Sequence, residues 1–287
     1  MEKTKLGNTG YEISRVVYGG IVSMEDGQAA SDRYVSYAIE QGINYFDVAP
    51  TYGDAQEKLG NSLVPYRKDV FLACKTMERE RDAAQTKMEE SFRLLKTDYF
   101  DNYQMHALAS FADLDTAFGP GGAMETLVRA KEKGLVRKLG ITCHSEEVAV
   151  KALSLYDFDT VLFPLNWGLH LGKNFGTQIT KIVKEKGIGL LGMKSLIHRA
   201  WINPEERSTS RFPKSWCMPI SDNDALGVAA LKYALSLGAD ALVPPGNFES
   251  FTFVVNHIDE CLSNPLTDSD IAFLKAELEK IDERYFF

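Results

Sequence analysis

Apolar residues in this chain gather into short runs, and between the runs they recur every three or four positions. The runs are RVVYGGI (15–21), NYFDVA (44–49), VFLACK (70–75), YFDNYQMH (99–106), KLGITC (138–143), TVLFPLN (160–166), GLLGMK (189–194) and ALVPPG (241–246). Several are apolar at successive rather than alternate positions, as parallel strands covered on both faces should be. Between them, Ala84, Met88, Phe92 and Leu95 fall at i, i+4, i+8 and i+11. Leu226, Ala229, Ala230, Tyr233, Ala234 and Leu237 likewise form one stripe, the buried face of an amphipathic helix. Gly42, Gly134, Gly187 and Gly238 close helical runs, and Ser145 opens one as an N-cap.

Strand then helix, repeated eight times over about 250 residues, predicts an α/β fold of the (β/α)8 TIM-barrel type. A doubly wound open sheet is the rival, but the G-x-G-x-x-G that marks it is missing after the first strand. LGNTGYEIS, with Asn and Gly at its turn, adds an N-terminal β-hairpin. Thr267 to Phe287 adds a C-terminal helix with Ile271, Leu274, Leu278 and Ile281 on one face, capped by Thr267 or Ser269. With no linker and no low-complexity segment, residues 1–287 are read as a single domain. Two connections, 108–121 and 196–221, are longer than turns. Both leave the C-terminal ends of strands, the face where barrel active sites lie.

Composition narrows the function. Hydrophobic content of 45% and charged content of 25% are ordinary for a globular protein. A net charge of −8 argues against a general nucleic-acid binder, which needs basic surface. No apolar run approaches the ~20 residues of a membrane helix, and MEKTKLGNTGYEIS lacks the apolar core of a secretory leader. Cys74, Cys143, Cys217 and Cys261 are scattered and form no CxxC pair, which predicts no structural metal and a reducing, cytoplasmic setting.

The chemistry sits at strand ends. The second strand ends at Asp47 with Tyr52 in the loop beyond, the third in Lys75 and the fourth in His106. The fifth ends near Thr142, Cys143 and His144, the sixth at Asn166, the seventh at Lys194. Taken singly, such residues are ordinary: a turn acid, a snorkelling lysine, a hydrogen-bonded histidine. Consecutive barrel strands are neighbours, however, so Asp47, Tyr52, Lys75 and His106 should converge, and half-buried charges need partners. A neighbouring ammonium lowers a phenol's pKa. Lys75, steadied by Asp47, would act so on Tyr52, and His106 would donate a hydrogen bond to a carbonyl oxygen. Such a set delivers a proton to oxygen as a hydride reaches carbon. A metal-dependent barrel enzyme using Asp47, His106 and His144 is the alternative chemistry.

The chain resembles the aldo-keto reductases. FDVAPTYG (46–53) resembles the family's FDTAxxYG, Lys75 ends the third strand, and the histidine of YQMH ends the fourth. GIT (140–142), the asparagine of FPLN, and PPGN with Asn256 ten residues after Gly246 resemble later motifs. The resemblance implies NAD(P)H-dependent reduction of an aldehyde or ketone, with Tyr52 as general acid, Lys75 and Asp47 tuning it, and His106 orienting the carbonyl. It also leaves open a cofactor-binding regulatory protein with little or no turnover.

By position, the resemblance places the nicotinamide against Thr142, Cys143 and Asn166, with Met193 where an aromatic often stacks. Thr142-Cys143 replaces the usual Ser-Asn and Leu162 the usual Gln, so His144 and Asn166 are the substitutes for the lost polar contacts. Lys194, Ser195, Gly246, Asn247, Phe248 and Asn256 are the remaining cofactor candidates. NADP(H) is expected by family habit, with NAD(H) the alternative, because no Lys or Arg lies between Ala241 and Asn264 while Glu249 and Asp259 are acidic. Arg199, Arg207, Arg211 and Lys214 in the long seventh connection are offered as compensation. Tyr18, Ile21, Val22, Phe111, Phe118, Trp167, Trp201 and Trp216 are candidate walls for a small carbonyl or sugar substrate. A monomer is the family-like expectation.

Overall fold

The computed structural model describes residues 1–281 and 284. The chain opens with β1 (Lys3–Lys5) and β2 (Glu12–Ser14), an antiparallel hairpin. Next come β3 (Tyr18–Gly19), β4 (Tyr45–Asp47), β5 (Phe71–Thr76), β6 (Phe100–Leu108), β7 (Val136–Cys143), β8 (Thr160–Pro164) and β9 (Gly189–Met193). β10 (Ile197–Arg199) pairs with β11 (Met218–Pro219) in a separate two-stranded sheet, and β12 (Ala241–Val243) ends the series. β3 through β9 and β12 form one parallel sheet in the order β12-β9-β8-β7-β6-β5-β4-β3. Its two edges meet where Val16 bridges Leu242. There Val17 N donates to Leu242 O and Leu242 N to Arg15 O, each at 2.9 Å. With both edges paired, the sheet is a (β/α)8 barrel.

The strand period of two sorts side chains between barrel interior and helical shell. In β4, Tyr45 joins the inner cluster, Phe46 the outer one, and Asp47 points inward again. At the N-terminal end of the barrel Leu6 of the hairpin lies against Gly189, where β9 begins, and it shares an apolar inner cluster with Ile13, Phe71, Leu162 and Leu191. Further along the same inward positions the residues turn polar: Lys75 follows Ala73, and Gln104 and His106 follow Asn102. A barrel filled with apolar groups below and ionisable ones above has its chemistry at the C-terminal rim.

Helices cover the outside. Geometry requires glycine at several positions, Gly60 and Gly187 among them. Gly60, in the helix Ala55–Leu63, lies where a Cβ would stand 2.1 Å from Leu94 O, so two helices meet backbone to backbone there. Gly187 caps the helix Thr177–Lys186 at φ +67°, the left-handed turn that glycine adopts without steric cost. Ser145 accepts from Val148 N as the N-cap of Glu146–Leu155. The last helix runs Asp268–Leu278, capped by Thr267, whose reciprocal bonds with Asp270 form a capping box. It ends before Ile281, and the rest of the expected stretch at 282, 283 and 285–287 lies outside the described residues. The connection 108–121 contains the helix Phe111–Phe118. Connection 196–221 is a strap built of β10, the helix Pro204–Thr209 and β11. No helix among the described residues is long and apolar enough to cross a membrane.

Candidate active site

Three strand ends and one loop build the site. Lys75 in β5 is fully buried; its Nζ donates to Asp47 Oδ1 and lies 3.4 Å from both Val48 O and the Tyr52 hydroxyl. Gln104, paired in register with Lys75, donates from Nε2 to the other Asp47 oxygen at 2.9 Å. The loop after β4 turns at once: Tyr52 N bonds Ala49 O at 3.1 Å, and Ala55 N bonds Tyr52 O at 2.9 Å. That turn swings the phenol back over Asp47 and Lys75. His106 faces it edge-on, with ring centroids 5.8 Å apart at 87°.

Burial decides the protonation states. On Lys75, burial is the largest single influence and opposes the charge, but Asp47, Tyr52 and Cys74 together outweigh it and the pKa ends above the ordinary lysine value. On Tyr52, burial is the largest influence and raises the pKa; Lys75 lowers it but does not win. The sequence leads one to expect a phenol acidified by its neighbour, and the buried site reverses that sign. Tyr52 therefore holds its proton at neutral pH, the state a general acid needs. Burial, then the charges of Lys75, His144 and Arg79, push His106 down to about 2. Its imidazole is neutral, and buried Nδ1 has no hydrogen-bond partner among the described residues.

Above these groups is a cavity of about 90 Å³. Ile21, Leu162, Met193, Val243 and Pro244 give it apolar walls, Thr142, His144 and Lys194 polar ones. Trp216 from the strap roofs it, its indole 5.7 Å from the Tyr52 ring. This volume falls below the ~300–1,000 Å³ usual for ligand pockets, and the strap over it is fastened down. Lys214 Nζ bonds Val22 O and Met24 O at 3.0 Å and Asp26 Oδ2 at 2.6 Å, tying the strap to the first strand–helix connection. Beyond Trp216 and Cys217 lies an open outer groove that shares His144 and Lys194 with the cavity.

Asp47, Tyr52, His106, Thr142, Met193, Lys194, Gly246 and Ile21 line the cavity, with Lys75 directly behind Tyr52. Other sequence candidates are placed elsewhere. Strand alternation turns Thr142 inward and Cys143 outward, so the Cys143 thiol bonds the carbonyls of Leu108 (2.8 Å) and Ser145 (3.2 Å). Asn166 spends its amide on structure: Nδ2 donates to Lys194 O and Ile197 O, while Oδ1 caps the helix Trp167–Lys173. Trp167 is fully buried and bonds Ile197 O. Tyr18 is packed against Phe46 and Phe251 with its hydroxyl on Ser23. Phe248 stacks on Tyr34, Asn256 is exposed, and Trp201 lines the outer groove, donating to Ser215 O. Ser195 Oγ and Asn247 Nδ2 are buried with no partner among the described residues.

Of the strap's four basic residues, three meet carboxylates. Arg199 pairs with Glu206 at 2.7 Å, Lys214 with Asp26, and Arg211 with both Asp222 (3.0 Å) and Glu249 (2.9 Å). Arg207 donates to Pro213 O and lines the outer groove. Among the described residues no three His, Cys, Asp or Glu side chains come together as a metal-binding group. Sequence reading missed Gln104 and Arg79. Gln104 carried a signal, since it stands two residues before His106 and so shares its inward face. Arg79 carried none.

Residues 19–238 match the Aldo/keto reductase family, and the chain belongs to it. It is accordingly an oxidoreductase of the NAD(P)H-dependent carbonyl type that this family comprises. It is 27% identical over 270 residues to the L-galactose dehydrogenase of Arabidopsis thaliana, covering 82% of this chain and 81% of that one. It is 34% identical over 125 residues to the methylglyoxal reductase YeaE of Escherichia coli, covering 40% and 42%. The holo form of aldo-keto reductase AKR11C1 from Bacillus halodurans superposes with a TM-score of 0.73 at 18% identity, covering 99% of each chain, a likeness of fold.

Proposed function

We propose that this chain reduces a small aldehyde or ketone to the alcohol, or runs the reverse reaction, with Tyr52 as the general acid or base. The carrying observation is a protonated, buried phenol 3.4 Å from an ammonium that Asp47 holds in place, across the cavity from a neutral imidazole. The nicotinamide cofactor supplies the hydride. The chain's residues do the rest. His106 donates a hydrogen bond that orients the carbonyl oxygen, and Tyr52 gives that oxygen its proton. The phenolate left behind is stabilised by the Lys75 ammonium, itself steadied by Asp47 and Gln104. The strap excludes water from the transfer.

The residues suit a nicotinamide cofactor. The apolar walls Ile21, Leu162, Met193 and Val243 offer a slot beside Tyr52, and the unpartnered Ser195 Oγ and Asn247 Nδ2 are donors of the kind a phosphate or carboxamide takes. Family habit favours NADP(H). The pairing of Arg199, Arg211 and Lys214 with carboxylates weakens that expectation, and Glu249 in the first turn of Phe248–Ser263 opposes an added phosphate. These pairings support NAD(H). For substrate, the small cavity with its Thr142, His144 and Lys194 side suits a compact polar carbonyl or sugar, in keeping with the names of the dehydrogenase and reductase relatives.

Titration with NADH and NADPH separately, following tryptophan fluorescence, should show binding of at least one. A carbonyl panel should then show turnover that falls about 10²–10⁴-fold in Tyr52→Phe. Absence of binding to either cofactor overturns the reading. Binding without turnover of any carbonyl would favour the regulatory role, and full turnover in Tyr52→Phe would remove Tyr52 as the acid.

A further inference from the structure

Immediately beyond His106 the chain leaves regular β geometry. Ala107 has φ +51°, a region that non-glycine residues seldom occupy, and the β6–β7 register slips between Met105 and Leu108. A side chain as exacting as a carbonyl-orienting imidazole is thus mounted on the irregular end of its strand. Something must fix that bend, because a displaced peptide rotates the imidazole with it.

Two neighbours do so. Thr142 Oγ1 accepts from Ala107 N at 2.7 Å. On the other side Arg79, three residues beyond the end of β5, sends Nη2 to His106 O at 2.8 Å and to Ala107 O at 3.2 Å. Its Nη1 donates to Met77 O at 2.9 Å, and its Nε lies 3.7 Å from Asp113 Oδ1. Asp113 accepts from Ala109 N through its other oxygen at 2.8 Å. The backbone of Arg79 is fixed as well, its carbonyl accepting from Ala123 N at 2.8 Å. The Arg79 side chain is 13% exposed and reaches His106 through the histidine's backbone carbonyl, not its imidazole. Nη2 alone clamps two successive carbonyls while Nη1 and Nε face Met77 O and Asp113, a planar spread of donors that a lysine's single ammonium does not match.

We infer that Arg79 is a positioning residue for His106: with Asp113 and Thr142 it clamps the bend at Ala107 and so aims the imidazole at the substrate oxygen. Asp113 belongs to the helix Phe111–Phe118, so the fourth connection supports the chemistry from behind. The proposal rests on the reductase reading for its kinetic consequence, but not for its structural one.

The test is a cycle of Arg79→Met and His106→Ala, assayed with the best substrate of the carbonyl panel. Arg79→Met should lower kcat about 10–100-fold, the cost of an orienting group displaced by an ångström or so, while cofactor affinity stays within about two-fold, since a group acting through His106 leaves cofactor binding alone. Arg79→Lys should lose less, because it keeps the charge and one bond. In the His106→Ala background Arg79→Met should cost less than a further two-fold or so, because its effect passes through the imidazole. Effects that multiply, or a kcat for Arg79→Met within about two-fold of wild type, overturn the inference. A second readout needs no turnover. The His106 imidazole ¹⁵N resonances, assigned by their loss in His106→Ala, should shift in both Arg79 variants. Unmoved resonances sink the clamp even if the protein reduces carbonyls, and shifted ones uphold it even if Tyr52→Phe shows the reductase reading to be wrong.

Discussion

Replacing Asp47 with Asn tests the electrostatic core of the site through stability alone. Asp47 shares a hydrogen bond with Lys75, whose side chain is fully buried, so Asp47→Asn leaves an ammonium in the barrel with no countercharge. Breaking a buried pair from one side costs about 3–5 kcal/mol. At about 2.1 cal/mol/K per residue, the 287 residues unfold with an entropy near 0.6 kcal/mol/K, so Tm should fall by roughly 5–8 °C. The cost should also carry a pH signature. In the wild type Asp47 lifts the Lys75 pKa above 10.5, so the pair's stabilisation is complete below that value and is lost as pH rises through the raised pKa. In Asp47→Asn burial is the largest influence left, and it lowers the lysine pKa. The penalty is then full where lysine is charged in both states, and it shrinks as pH climbs toward 10.5. Urea denaturation at pH 6 and pH 9.5 measures both. The double variant Asp47→Leu/Lys75→Met, with no charge left, should recover most of the lost stability while remaining inactive. A double variant as unstable as the two single losses added together, or a pH-independent penalty, would refute the account.

Two further outcomes follow from the same geometry. His106 is held neutral down to about 2 whereas an unfolded histidine takes up its proton near 6.5, so the unfolded state binds more protons below that pH. Its share of stability should fall by about 1.4 kcal/mol per pH unit on acidification, and His106→Gln should flatten that part of a pH–stability curve; by the same sign, kcat between pH 5 and 9 should show no limb from this imidazole. Lys214→Ala removes the strap's three bonds to Val22, Met24 and Asp26, and stopped-flow fluorescence should record both faster cofactor entry and faster release. Unchanged rates would mean that the strap is not what limits access.

Much of this protein is legible in the sequence, for physical reasons particular to its residues. Eight apolar runs separated by helical stripes imply eight covered parallel strands, and each run became a strand of the barrel. Once the barrel is assumed, Asp47, Lys75 and His106 must meet, because consecutive strands are neighbours and all three stand at the same rim. Gly187, Ser145 and Thr267 marked helix ends through local backbone chemistry that needs no tertiary partner. What the sequence could not decide is whatever depends on a competitor from elsewhere in the chain. Cys143 and Thr142 are adjacent in sequence, and only the pleat of β7 turned one into the core and the other into the cavity. Asn166 looked available until its amide was taken by Lys194 O, Ile197 O and the helix it caps. Arg199, Arg211 and Lys214 looked like cofactor ligands until Glu206, Glu249 and Asp26 folded against them. The phenol of Tyr52 carried the same uncertainty: a lysine nearby argues for a lowered pKa, and burial argues for a raised one. Sequence supplies the neighbour, but only the packed fold sets how much water is removed, and here desolvation outweighs the charge.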